Sequence, residues 1–232
     1  PARAEVSAGT RIGPKILTAG FLVDGDPPVL PGTPVAKTPE EGRQAVRIRR
    51  DQGADFVKVY SRLGRDVFVA ILDEAARLGM PVAGHVPQSV SASEASTLGQ
   101  RTFEHLMGLE ADARLSRSSA GSLFETLARI GTWQVPTGVA GRALGGHPLE
   151  RAREVLEADA RSLRLAPSVR RMWTSMPAER IAPSAAAARE LMPLRERIVG
   201  DLSRAGVPIL AGSDTPNPFV FPGSSLHEEL AL

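Results

Sequence analysis

Four short apolar runs each carry one ionisable side chain at or near the C-terminal end: Lys58 in FVKVY, His85 in VAGHV, His105 in TFEHL and Asp214 in ILAGSD. Two imidazoles, a carboxylate and an amine are the donors left for a divalent cation such as zinc in a chain without cysteine. The same groups can hold and move protons, which hydrolysis of a carbonyl compound requires. Singly, each has a plainer role. A lysine on a strand can snorkel or pair, a histidine is more often a hydrogen-bonded core residue than a ligand, and an aspartate inside a turn sequence usually serves the turn. Their recurrence at four strand ends is what points to a site. Strand alternation puts Phe56, Lys58 and Tyr60 on one face and Val57 and Val59 on the other, so Lys58 turns inward beside Tyr60, the only tyrosine.

Side chains so far apart in sequence meet only if the strands that carry them lie side by side with the same polarity. The intervening segments have that pattern, with apolar runs expected as strands over residues 15–23, 55–60, 81–86, 102–106, 132–139 and 207–211. Amphipathic helices are expected between them: from a Thr38 cap to near Gly53, over 66–78 up to Gly79, and over 91–98, 122–130 and 188–205, with a last one from Ser224. Thr38 is followed by Pro39, Glu40 and Glu41, all favoured where amide donors are unpaired. Residues 24–37 read as a Pro/Gly-rich loop. Residues 141–189, rich in Ala and Arg with scattered Pro, read as a helical lid inserted before the last strand. The expectation is one α/β domain over residues 1–232, an incomplete TIM-type (β/α)8 barrel with six strands. In such barrels the site gathers at the C-terminal strand ends, and a full one takes about 250 residues.

Composition narrows the partners. The 232 residues carry a net charge of only +2, with basic and acidic residues interspersed and few aromatics, which argues against nucleic acid. No window approaches the roughly 18 apolar residues of a membrane span. The N-terminal PARAEVSAGT has no apolar signal core and reads as the tail of a helix, so it assigns no compartment.

Lysine at a strand end, then GHVP, then EHL, then GSDTP resembles the imidazolonepropionase-like and prolidase-like members of the amidohydrolase superfamily of metal-dependent hydrolases. The resemblance runs from RIGPKIL, near Arg11, to LHEEL at the C-terminus and corresponds to barrel strands three to eight. It implies a C–N hydrolase acting on an amide, peptide or cyclic amide, with zinc or a binuclear centre in the complete protein. Lys58, often carboxylated in such enzymes, would bridge two metals, His85 and His105 would hold the second metal, and Asp214 would bind metal and shuttle the proton. The strand-one His-x-His pair of that family is missing: His85, His105, His147 and His227 are the only histidines, and no two have that spacing. The chain therefore reads as a fragment, or as a chain whose first strands come from a partner, and a two-metal centre is not expected from it alone. Its open strand edges also admit a homo-oligomer.

Around these residues, Tyr60 and Arg62 are candidate substrate contacts, through a phenol for a carbonyl and a guanidinium for an acidic group, and Arg65 lies in the same loop. Ser225 and Glu228 have capping-box spacing in SSLHEEL, which leaves His227 as a third candidate substrate contact. His147 in GGHP reads as a surface or lid residue. Two rival readings follow from the same residues. One is a catalytically incomplete barrel that retains its fold and a structural metal. The other is a Schiff-base lyase using Lys58, which leaves both histidines and Asp214 idle.

Overall fold

A computed structural model of the chain describes residues 2–110, 117–146 and 151–232. The chain divides into two compact units, Pro1–Thr102 and Phe103–Leu232.

In the first unit a short helix α1 (Ala2–Ser7) is followed by α2 (Pro39–Asp51), β1 (Val57–Val59), α3 (Arg65–Arg77), β2 (Val82–Gly84) and α4 (Ala92–Thr97). The Thr38 cap forms as expected. Its hydroxyl accepts from the Glu41 amide at 3.3 Å while the Glu41 carboxylate accepts from the Thr38 amide, a reciprocal box that satisfies two orphan donors. Strands β1 and β2 pair in parallel with Lys58 opposite Ala83. Val57 and Val59 are fully buried, whereas Phe56, Lys58 and Tyr60 on the other face are half-buried. The strand expected over 15–23 shrinks to one bridging residue, Val23, whose amide and carbonyl bond to Lys58 O and Tyr60 N. Gly20 at φ +66° takes the backbone out of extended conformation just before it.

Strand β3 (Thr102–Glu104) crosses the division and pairs with β4 (Trp133–Val135). The second unit further contains α5 (Arg117–Ile130), α6 (Gly138–Gly146), α7 (Ala152–Ala158), a 3-10 turn (Ala160–Arg164), α8 (Pro167–Ser175), α9 (Ala178–Arg204) and α10 (Ser224–Glu229). The strand expected over 207–211 is again a single parallel bridge, Ile209 with Gln134. Pro208 has no amide to donate, so only its carbonyl and the Leu210 amide reach Gln134. The described strands are thus four short ones plus bridging residues rather than six full ones.

Helix α9 begins ten residues earlier than expected and carries Pro183 as well as Pro193 in its interior. An interior proline costs about 3 kcal/mol. An Ala-rich run propagates the helix regardless, and α6 packs closely against it. That approach needs glycine. A Cβ on Gly141 would lie 2.9 Å from Met192 Sδ, and one on Gly145 would lie 3.1 Å from the Arg189 amide nitrogen. Val139 and Ala143 of α6, Leu156 of α7, Trp173 of α8 and the 219–221 segment form one apolar cluster. Among the described residues, no helix is long and apolar enough to cross a membrane.

Candidate active site

Each expected site residue except His227, which lies in α10, sits in a strand or in the loop that follows a strand or bridge. In the first unit Lys58 is central in β1, and His85 follows β2 directly. His85 is buried, its ring stacks on Tyr60 with centroids 3.8 Å apart, and its Nδ1 lies 2.7 Å from Ser61 Oγ. Alternation therefore gathers Lys58, Tyr60 and His85 on one side of the strand pair. The turn into His85 runs through Gly84 at φ +122°, where a Cβ would meet the Val59 carbonyl oxygen at 2.2 Å. Buried Gln100 donates from Nε2 to the carbonyls of Gly84, His85 and Thr102 at 3.0–3.1 Å, holding the backbone that presents the histidine.

The loop after Val23 is organised by Asp24, a fully buried carboxylate. Oδ1 accepts from the amides of Gly25 and Arg62, and Oδ2 from that of Val29. Arg62, expected to face substrate, donates one guanidinium hydrogen bond to the Pro27 carbonyl at 2.9 Å and is otherwise exposed. Arg65 pairs with Glu94 at 2.7 Å.

In the second unit three strand-end residues adopt left-handed backbone: His105 at φ +60°, Thr137 at φ +51° and Asp214 at φ +56°. Such conformations cost a residue with a Cβ roughly 1–3 kcal/mol, so their grouping is a structural signal in itself. His105 Nδ1 lies 2.6 Å from Thr137 Oγ1 and 3.8 Å from Asp214 Oδ2, and its Nε2 lies 3.8 Å from Glu104 Oε2. Asn217 donates to Asp214 Oδ2 at 2.6 Å and to the Asp214 carbonyl. The loop beyond Asp214 is tied down by Trp173, whose indole donates to Pro216 O at 2.8 Å. His105, Thr137, Asp214 and Asn217 open into a cavity of about 320 Å3, walled by α6 through Leu144 and by α9 through Leu191 and Arg195. Arg195 is held by Glu110 at 2.7 Å.

His227 is exposed and lines a different cavity, of about 550 Å3, with Arg161, Arg164 and Phe221. The capping box expected before it does not form. The helix starts at Ser224 after Gly223 at φ +83°, which places Ser225 inside the first turn, where its hydroxyl accepts from the Phe221 amide at 2.9 Å. His147 lies outside the described residues.

Zinc or a pair of metals needs at least three or four donors around one point. Among the described residues, no three His, Asp or Glu side chains gather closely enough to hold a metal ion. The donors present are of the right kind, but they do not make a metal centre by themselves. Four supporting residues escaped the sequence reading: Asp24, Ser61, Gln100 and Thr137. Only Asp24, in VDGD after an apolar run, repeats the placement that singled out Asp214.

No protein-family model and no curated protein matches this chain. Solved structures do. A bottromycin amidohydrolase is 30% identical with a TM-score of 0.77, the match covering 99% of this chain and 53% of that one. A Xaa-Pro dipeptidase with methionine bound in its active site is 21% identical with a TM-score of 0.61, covering 98% of this chain and 55% of the other. A prolidase complexed with N-methylphosphonate-L-proline is 21% identical with a TM-score of 0.61, over 92% and 51%. The structural neighbours are therefore amidohydrolase- and prolidase-like proteins, and the short strands and bridges are a partial barrel of their type. The chain carries the α/β fold of the amidohydrolase- and prolidase-like proteins, over about half of their length.

Proposed function

We propose that this chain is the part of an amide-bond hydrolase that carries its acid–base residue, Asp214, and that its substrate is an N-acyl amino acid, a dipeptide or a cyclic amide. The observation that carries this reading is the pairing of Asp214 with His105 at the mouth of the cavity between α6 and α9, on a fold shared with amidohydrolases and a proline dipeptidase. Asn217 engages Oδ2 of Asp214, which leaves Oδ1 for a water. The carboxylate takes a proton from that water as its oxygen attacks the carbonyl carbon, and then delivers the proton to the departing nitrogen. One group thus serves as base and then as acid, and the products are a carboxylic acid and an amine. Helices α6 and α9 wall this site, and Leu144 and Leu191 give its walls an apolar character suited to excluding bulk water.

The resemblance also implies a divalent metal, most simply zinc, with Lys58, His85, His105 and Asp214 as its ligands. Those residues complete such a centre only with donors from elsewhere. Tyr60 and His227 are the proposed substrate contacts. Arg62 is a weaker one, since a donor is already committed to Pro27. The lack of a three-donor metal cluster among the described residues favours a second reading, a partial barrel that has kept the fold without catalysis.

The test is amine release from a panel of Xaa-Pro dipeptides, N-acyl amino acids and cyclic amides, with zinc supplied in excess. Release above the buffer rate from at least one class is expected. Release no faster than buffer from every class would favour the non-catalytic reading.

A further inference from the structure

The cavity that His227 lines has no lining residue in common with that of Asp214. Its ionisable lining side chains are all basic: Arg161 and Arg164 from the 3-10 turn and His227 from α10. Two of the three are uncommitted. Among the described residues, the Arg164 and His227 side chains and the Ser224 hydroxyl, which lines the same cavity, make no hydrogen bond or ion pair. Arg161, by contrast, is fixed in place. Its guanidinium pairs with both oxygens of Asp159 at 2.6–3.0 Å, reaches Glu228 on α10, and lies with Cζ 4.2 Å from the centroid of the Phe221 ring. Neither of those acids lines the cavity, so the face turned to a ligand keeps its positive character. Buried Leu165 and Phe221 supply apolar wall.

At about 550 Å3 the space suits a small molecule, and apolar walls with a few polar groups are the composition such sites have. A free guanidinium offers a planar fork of donors that matches a carboxylate, and an imidazole and a hydroxyl can donate beside it. We propose that this cavity binds a small organic carboxylate with an apolar body, its charge on Arg164, His227 and Ser224 and its body against Phe221 and Leu165. Arg161 preforms the site by tying the 3-10 turn to α10 through Glu228, which lowers the ordering cost of binding. The inference rests on the His227 substrate contact proposed above and names the group contacted, but binding does not require amide cleavage.

Proton–nitrogen correlation spectra of the intact chain follow its four imidazoles, and His227→Gln identifies the His227 signal by its loss. The probe is 3-phenylpropanoate, which contains no amide bond, so its binding is read whether or not the chain cleaves amides. Saturable shifts of the His227 signal are expected, with far weaker binding of 3-phenylpropanol, which lacks the charge, and of inorganic phosphate, which lacks the apolar body. Arg164 is exposed, which spares the fold, and Arg164→Gln should weaken binding of the carboxylate about 10- to 100-fold, with Arg164→Lys in between. A His227 signal unmoved by the carboxylate would overturn the proposal. Equal affinity for the alcohol or for phosphate, or an unchanged affinity in Arg164→Gln, would overturn it as well. The expected binding without any amide release would instead count against the hydrolase reading alone.

Discussion

Replacing Gln100 with alanine removes the donor shared by the carbonyls of Gly84, His85 and Thr102, the first two in buried hydrogen bonds, at a cost of about 1–3 kcal/mol. Urea unfolding should show the midpoint move down with little change in slope, and an unchanged midpoint would mean that water replaces the amide. Gly84→Ala should be more damaging, since its Cβ meets Val59 O at 2.2 Å in a conformation alanine resists. At this scale Lys58, His85, His105 and Asp214 were legible because ionisable groups at the ends of apolar runs stand out in any sequence. Gln100 and Thr137 were not. A glutamine in LGQRT and a threonine in VPTG look like solvated turn residues, and only the folded backbone shows which carbonyls they serve. Arg62 and His227 were picked for proximity in sequence, yet one is bonded to a loop carbonyl and the other lines a cavity separate from that of Asp214.

Elements are held in place partly by charge. Glu74 on α3 is buried between Arg77, on its own helix, and Arg47 on α2, at 2.6 and 2.8 Å. Hydrogen bonds from Arg77 and then Arg47 hold its carboxyl down from the ordinary 4.5 to about 2. A carboxyl depressed in the fold stabilises it fully above its unfolded value and loses that contribution as pH falls toward the folded one. Melting temperature should therefore drop between pH 4.5 and about 2, and Glu74→Gln should be less stable at neutral pH with a shallower acid limb. Equal acid limbs in the two proteins would rule out Glu74 as the cause. In the second unit Gly145→Val should force α6 away from the Arg189 backbone, a cost of about 1–3 kcal/mol seen in thermal melts. The α2 start was legible because Thr38, Pro39 and Glu41 all act locally. Helix α9 and the first and last strands were misjudged because their extents depend on a packed neighbour, a left-handed glycine and a missing proline donor rather than on periodicity.

The whole chain spans about half the length of the solved structures it matches; Lys58 and His85 belong to its first unit, and His105 and Asp214 to its second. The βα rhythm and the partial-barrel character were legible from the alternation of apolar runs and helices, whereas the division into two compact units left no mark in composition. With no three-donor cluster among the described residues, the chain dialysed against zinc and then against metal-free buffer should retain less than one equivalent by elemental analysis. A full equivalent, lost in the His85→Ala, His105→Ala double variant, would show that these residues close a metal site without help. The hydrolytic assignment itself turns on Asp214. The most direct measurement is kcat for amide cleavage by wild type and Asp214→Asn, side by side at saturating zinc. Loss of a general acid–base group predicts a fall of about 100- to 10,000-fold with an unchanged melting temperature, and equal rates in the two proteins would contradict the account.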